Sequence, residues 1–101
     1  LSYAKEQKYR SKKLLEAARD CPFCFGCGMS NDGSVVAAHS NQHRDGKGLG
    51  TKSHDFRVAY LCHRCHTFVD QSTGSIEKKL ELWEEAHRAT VGYWFLSGLV
   101  K

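Results

Sequence analysis

Positions 76, 80, 83, 87, 91 and 94 hold Ile, Leu, Trp, His, Val and Trp, a recurrence at steps of three and four. Such spacing places all six side chains on one stripe of an α-helix, predicted here to start at Ser75 and to bend or end at Gly92. Upstream the period changes. Phe56, Val58 and Tyr60 alternate with polar or small residues, which predicts a strand over residues 56–61, and the short run Val35 to Ala38 predicts a buried strand that delivers His39 at its end. Residues 40–55 hold three glycines and five charges without periodicity, the mark of a mobile loop or an extended hairpin tip. The two strands therefore form an antiparallel hairpin. A short helix is expected from Cys62 onward. At the other end, SYAKEQKYRSKKLLEAARD contains no Gly or Pro and predicts a helix from Ser2, with a weak apolar face at Leu14, Leu15 and Ala18. CPFCFGCGMSNDGS between that helix and the first strand is a turn-rich loop. The fold class is α+β, a single domain with a basic N-terminal helix or arm (1–20), a central core (21–70) and a C-terminal helix (71–101) that packs its Trp83/Trp94 stripe on that core.

The chain has 101 residues, 41% of them hydrophobic, enough for one modest core. A core of this size is marginal on apolar burial alone, so a staple is expected. Five cysteines fall in two groups, Cys21/Cys24/Cys27 and Cys62/Cys65, each built on C-x-x-C spacing. An odd number in knuckle spacing argues for metal ligation rather than disulfides, and for a reducing, intracellular setting. No run of about 18 apolar residues and no charged-then-apolar leader occurs, so a cytoplasmic protein without membrane contact is expected. The chain begins at Leu1, which suggests part of a longer polypeptide.

Two C-x-x-C knuckles far apart in sequence can supply the four soft ligands of a tetrahedral structural Zn2+. Cys62 and Cys65 form one pair. Cys27 is the firm member of the other, and Cys21 and Cys24 compete for the remaining place. Five of the six histidines lie between positions 39 and 66. On a helix starting near Cys62, the side chains of Cys62, Cys65 and Val69 point towards metal and core, while His63, His66 and Asp70 form a neighbouring face. His43 and His54 fit solvent or phosphate contacts of the loop, and His87, on the apolar stripe, fits a buried, hydrogen-bonded core residue. Net charge is +4, all of it accounted for by residues 1–19, with six basic against two acidic side chains. Residues 39–66 add Arg44, Lys47, Lys52, Arg57 and Arg64 against Asp45 and Asp55. A basic arm and a basic central loop suit a phosphate-rich partner.

A zinc knuckle, a strand ending in histidine, a glycine-rich loop, a second strand and L-C-x-x-C-H opening a helix resemble the ββα-metal finger of HNH (His-Me finger) endonucleases over Cys21 to Asp70. VVAAH, GKGLGTKSHDF and LCHRCH are similar to the small phage and prophage nucleases of the YbcO-like kind and to the phage recombination enhancement nucleases, which act with the host RecA recombinase. The resemblance implies a DNA endonuclease working in phage recombination inside the bacterial cell, with His39 as general base. It implies His66 as ligand of a catalytic divalent metal, Mg2+ or Mn2+ with Zn2+ as a third option, and Asp55 as the middle acidic residue that binds metal or braces the loop. Arg44, Lys47, Lys52 and Arg64 would meet DNA phosphates. One departure stands out: many such enzymes carry an acidic ligand immediately before the base, and here that position is Ala38. The rival reading is a non-catalytic zinc-finger module that binds DNA or docks a protein.

Overall fold

The computed structural model describes residues 8–48, 51–71 and 73–100. Its centre is the hairpin of β1 (Val36–His39) and β2 (Val58–Leu61), antiparallel with Val36 opposite Leu61 and His39 opposite Val58. The α-helices are α1 (Lys12–Glu16), α2 (His63–Asp70) and α3 (Ile76–Leu96), and a 3-10 turn, Ala17–Asp20, continues α1. The α+β class expected from the sequence is the one observed.

β2 differs from the alternating strand predicted for it. All four of its residues are buried, and Phe56 lies outside the strand and exposed. A strand covered on both faces needs no polar side, so alternation stops being informative there. Its outer edge is closed by α3 and by the cysteine loop. The Tyr60 N–H donates to Thr90 Oγ1 at 3.0 Å, the Val58 carbonyl accepts from His87 Nδ1 at 2.8 Å, and the Tyr60 carbonyl accepts from the Phe25 N–H at 3.1 Å. An edge whose donors and acceptors are satisfied in this way cannot recruit another strand. His87 is thus the buried core histidine expected, stacked on Trp83 with ring centroids 4.9 Å apart.

α3 starts where predicted, with the Ser75 side chain accepting from the Lys78 N–H. It runs through Gly92 without a break, because Val91, Tyr93 and Trp94 on either side remain packed against the core. Trp83 and Trp94 are buried as expected and each indole N–H has a partner, Ala38 O at 3.0 Å and Tyr60 Oη at 2.9 Å. The first turns of the stripe behave differently: Ile76 is 71% exposed and Leu80 41%.

The N-terminal helix is much shorter than predicted. Residues 1–7, including the predicted start at Ser2, lie outside the described part of the chain, and residues 8–11 are not helical. The physical reason is competition for the backbone. Ser11 caps α1, its side chain accepting from the Leu14 N–H, and the residues just before it bond to the loop that precedes β2. Tyr9 N–H donates to His54 Nδ1 at 3.0 Å and Tyr9 O accepts from the Asp55 N–H at 2.9 Å. The Arg10 guanidinium bonds the carbonyls of Lys52 and Ser53. The described residues of that loop, expected to be mobile or an extended hairpin tip, are correspondingly tied down: besides these bonds they include a 3-10 turn, His43–Asp45, and Asp45 accepts from Ser40 Oγ at 2.6 Å and pairs with Arg57. No helix among the described residues is long and apolar enough to cross a membrane.

Candidate functional site

Four thiols meet where the cysteine loop touches the start of α2. The Sγ atoms of Cys24, Cys27, Cys62 and Cys65 all lie within 4.8 Å of one another, and Cys27 and Cys62 are 3.8 Å apart. Zn–S bonds of about 2.3 Å in a tetrahedron place neighbouring sulfurs roughly 3.8 Å apart, so the cluster fits a four-cysteine zinc centre. Cys24, not Cys21, completes it. Cys21 is buried beside it with its thiol donating to the Phe23 carbonyl at 3.3 Å. Around Cys24 the backbone favours a thiolate: burial pushes its pKa up, but the N–H groups of Cys62, Cys27 and Gly26 all point at the sulfur and bring it down to about 7. The turn needs its glycine, since a Cβ on Gly26 would stand 2.9 Å from Leu61 Cδ2 and 3.2 Å from Cys65 Sγ.

The four-cysteine cluster joins the start of α2 to the cysteine loop, and the histidines lie at the end of β1 and farther along α2. His39 ends β1 with its ring partly exposed, and its Nε2 lies 2.7 Å from Asp55 Oδ1. Asp55 is buried and also accepts from the Ser11 N–H at 2.7 Å and from Arg10 Nη1 at 3.1 Å. Burial raises the carboxyl's pKa, yet the hydrogen bonds from His39 and Ser11 and the charges of His39 and Arg10 outweigh it and hold the group below the ordinary carboxylate range. An ionised carboxylate only accepts. His39 therefore donates from Nε2, which makes Nδ1, without a hydrogen-bond partner among the described residues, the nitrogen that is bare in the neutral ring.

Across a cleft of about 280 Å³ from His39 stand His66 and Asp70, one turn apart on α2, with His66 Nε2 2.9 Å from Asp70 Oδ2. Asn41 donates to the other Asp70 oxygen at 3.3 Å. Lys47 and Lys52 complete the polar wall. The remaining residues singled out from the sequence are elsewhere. His63 is exposed at the start of α2, its N–H bonded to Ser34 Oγ, and Arg64 lies on the same helix away from the cleft. Arg44 reaches Glu84 at 3.1 Å rather than the cleft. His54 stacks on Phe56 and accepts from Tyr9, so it braces the N-terminal segment instead of facing the loop's exterior. The side chain of His43 lies outside the described part of the chain.

Arg10, Ser11 and Asn41 are functional neighbours that the sequence does not reveal. Arg10 reads there as one charge of a basic arm, and nothing local marks it as the partner of a carboxylate 45 residues away. No known protein family, curated protein or solved structure matches the chain.

Proposed function

We propose that the chain is a metal-dependent DNA endonuclease of the HNH type, with the zinc cluster as staple and the His39/His66 cleft as active site. The observation that supports this most is the orientation of His39: a buried, ionised Asp55 fixes the tautomer whose Nδ1 can take a proton. A general base needs a fixed ring orientation and access to water, and the cleft offers both. His39 Nδ1 removes a proton from water. The resulting hydroxide attacks phosphorus in line with the 3′-oxygen, the P–O3′ bond breaks, the departing 3′-oxyanion takes a proton from a water molecule, and the products carry a 5′-phosphate and a 3′-hydroxyl.

His66 and Asp70 fit a divalent metal in donor type: an imidazole nitrogen and a carboxylate side by side, facing the base across the cleft. Among the described residues no third protein ligand joins them, which suits an ion that keeps water and phosphate oxygens in its shell. When bound, such an ion supplies Lewis-acid stabilisation of the phosphate and of the departing oxygenate. Asp70 offers the carboxylate that Ala38 lacks. Ala38 is itself buried in the hairpin core, and its carbonyl accepts from Trp83, so a carboxylate there would sit in the core rather than the cleft. Lys47 and Lys52 neutralise phosphates and contribute affinity without sequence information.

The resemblance to phage recombination nucleases extends the proposal to recombination intermediates, with a RecA-type filament as partner. The test is nicking of plasmid and single-stranded DNA by wild type and His39→Ala at equal zinc content, with Mg2+ or Mn2+, with and without RecA filaments. Metal-dependent cutting that the substitution abolishes is the expected result. DNA binding with no cutting by either protein under every condition overturns the catalytic reading and leaves a zinc-stapled binding module.

A further inference from the structure

On the other side of Asp70 lies a second cavity of about 450 Å³ between α2 and the first turns of α3. The two adjoin at Asn41 and Asp70, which line both. Its walls are unlike those of the cleft. Val69, Ile76, Leu80 and Trp83 supply apolar surface, and Asn41 and Gln71 bring carboxamides to it. Ile76 and Leu80, one turn apart, are the exposed beginning of a stripe that is otherwise buried, at positions where a solvent-facing helix would carry polar residues. Lys79 lines the same cavity. It is 8% exposed, its ammonium bonds the Gln71 carbonyl, and no carboxylate lies within ion-pair distance of it among the described residues. A buried ammonium bonded to a carbonyl favours an occupant with electron-rich atoms, and the Asp70 carboxylate on the same wall favours one that is neutral overall.

A cavity that combines the apolar side chains of Val69, Ile76, Leu80 and Trp83 with carboxamides, next to the proposed phosphate-cutting cleft, suits the chemistry of a nucleobase. Apolar walls take the π-faces and carboxamides pair with the donors and acceptors of the base edge. A base inside a duplex cannot enter, because both faces are stacked and its edge is turned to its partner; an unpaired base enters at the least energetic cost. We propose that this cavity is a nucleobase subsite holding one unpaired base beside the scissile phosphate, and that the preferred substrate is therefore single-stranded or locally unpaired DNA. The inference rests on the nuclease reading for the words "scissile phosphate", while the base subsite itself is testable by binding alone.

The experiment uses the zinc-loaded chain, a labelled single-stranded oligonucleotide, its duplex, and a set of the same strands with one abasic position, with binding followed by fluorescence anisotropy in the absence of divalent metal. The variant is Ile76→Ser with Leu80→Ser, two exposed positions outside the catalytic cleft, checked for unchanged zinc content and melting temperature. It should bind single strands about tenfold more weakly, the size expected when aliphatic contact with one base is lost, and bind duplex within about twofold of wild type. In wild type one abasic position should reproduce that loss, and in the variant the same abasic position should cost nothing further. Equal weakening on both DNA forms, no weakening, or abasic and side-chain losses that multiply would each overturn the subsite. Cutting assays on the same strands separate the two readings. Pocket-dependent binding without any cutting removes the nuclease and keeps the subsite, whereas cutting with no single-strand dependence on Ile76 and Leu80 does the reverse.

Discussion

Asp55→Asn changes almost no volume and tests the centre of the site. Three donors converge on the carboxylate, Ser11 N–H on Oδ2 and both His39 Nε2 and Arg10 Nη1 on Oδ1. An amide has one oxygen. Turned to His39 and Arg10, it sets its NH2 against the Ser11 N–H, donor to donor. Turned to Ser11, it presents the NH2 to His39 Nε2, which must then accept, and the proton moves to the nitrogen that should take one. Hydrogen bonds to a charged group contribute about 1.5–3 kcal/mol each. The Arg10 share is smaller, about 1 kcal/mol or less, because its side chain is 46% exposed and screened. The substitution should therefore destabilise the fold by roughly 2–3 kcal/mol and lower the melting temperature by on the order of 10–20 °C. DNA cutting should fall by about 10²–10⁴, the range of a lost general base. The sign of the pH dependence follows from the lowered pKa of Asp55. Its stabilisation is complete above the ordinary carboxylate value of 3.8 and disappears as pH falls through its lower folded value, so the stability gap between wild type and variant should close in that acid window. Urea melts across pH, a nicking assay, and 15N shifts of the His39 ring read the three effects. A variant that cuts like wild type with the ring proton still on Nε2 would refute the assigned role of Asp55.

Cys24→Ser should abolish stoichiometric zinc and unfold the chain, since a structural zinc is worth on the order of 10 kcal/mol and domains of this size have little more than that in total. Cys21→Ser should keep one zinc per chain by mass spectrometry, and zinc loss there would disprove the ligand set. Tyr60→Phe should cost about 1–3 kcal/mol, because the buried phenol donates to Leu14 O and accepts from Trp94 Nε1, both then left without it. Burial raises the Tyr60 pKa to about 12, so its contribution is intact below the ordinary value of 10.0 and lost between there and about 12; alkaline melts of the variant should lack that component. Asp70→Asn, at a half-exposed position, should leave the melting temperature nearly unchanged and raise the Mg2+ concentration for half-maximal cutting about tenfold or more, an effect that a metal titration checks.

How much of the molecule is legible in the sequence depends on how local the governing interaction is. The knuckle spacing, the Ser75 start of α3 and His39 at a strand end are written within a few residues of one another, and each is found in the structure. The extended segment 8–11 is not, because its helix-forming residues are overruled by bonds to Lys52, Ser53, His54 and Asp55, more than 40 residues away. Propensities of a few tenths of a kcal/mol per residue cannot resist such a set of partners. The choice of Cys24 over Cys21 is undecidable from sequence for the same reason, as both spacings are sound and the tertiary position of each sulfur, with the backbone N–H groups of Gly26, Cys27 and Cys62 around Cys24, distinguishes them. The stripe of α3 adds a subtler point. Its period is plain from Ile76 to Trp94, but periodicity reports which side chains share a face and says nothing of what covers that face. Trp83 and Trp94 are buried in the core, whereas Ile76 and Leu80 are exposed beside a cavity that adjoins the histidine cleft. An apolar stripe that outruns its core points to contact with something other than the chain itself, and here the adjoining chemistry makes an unpaired base the occupant to test first.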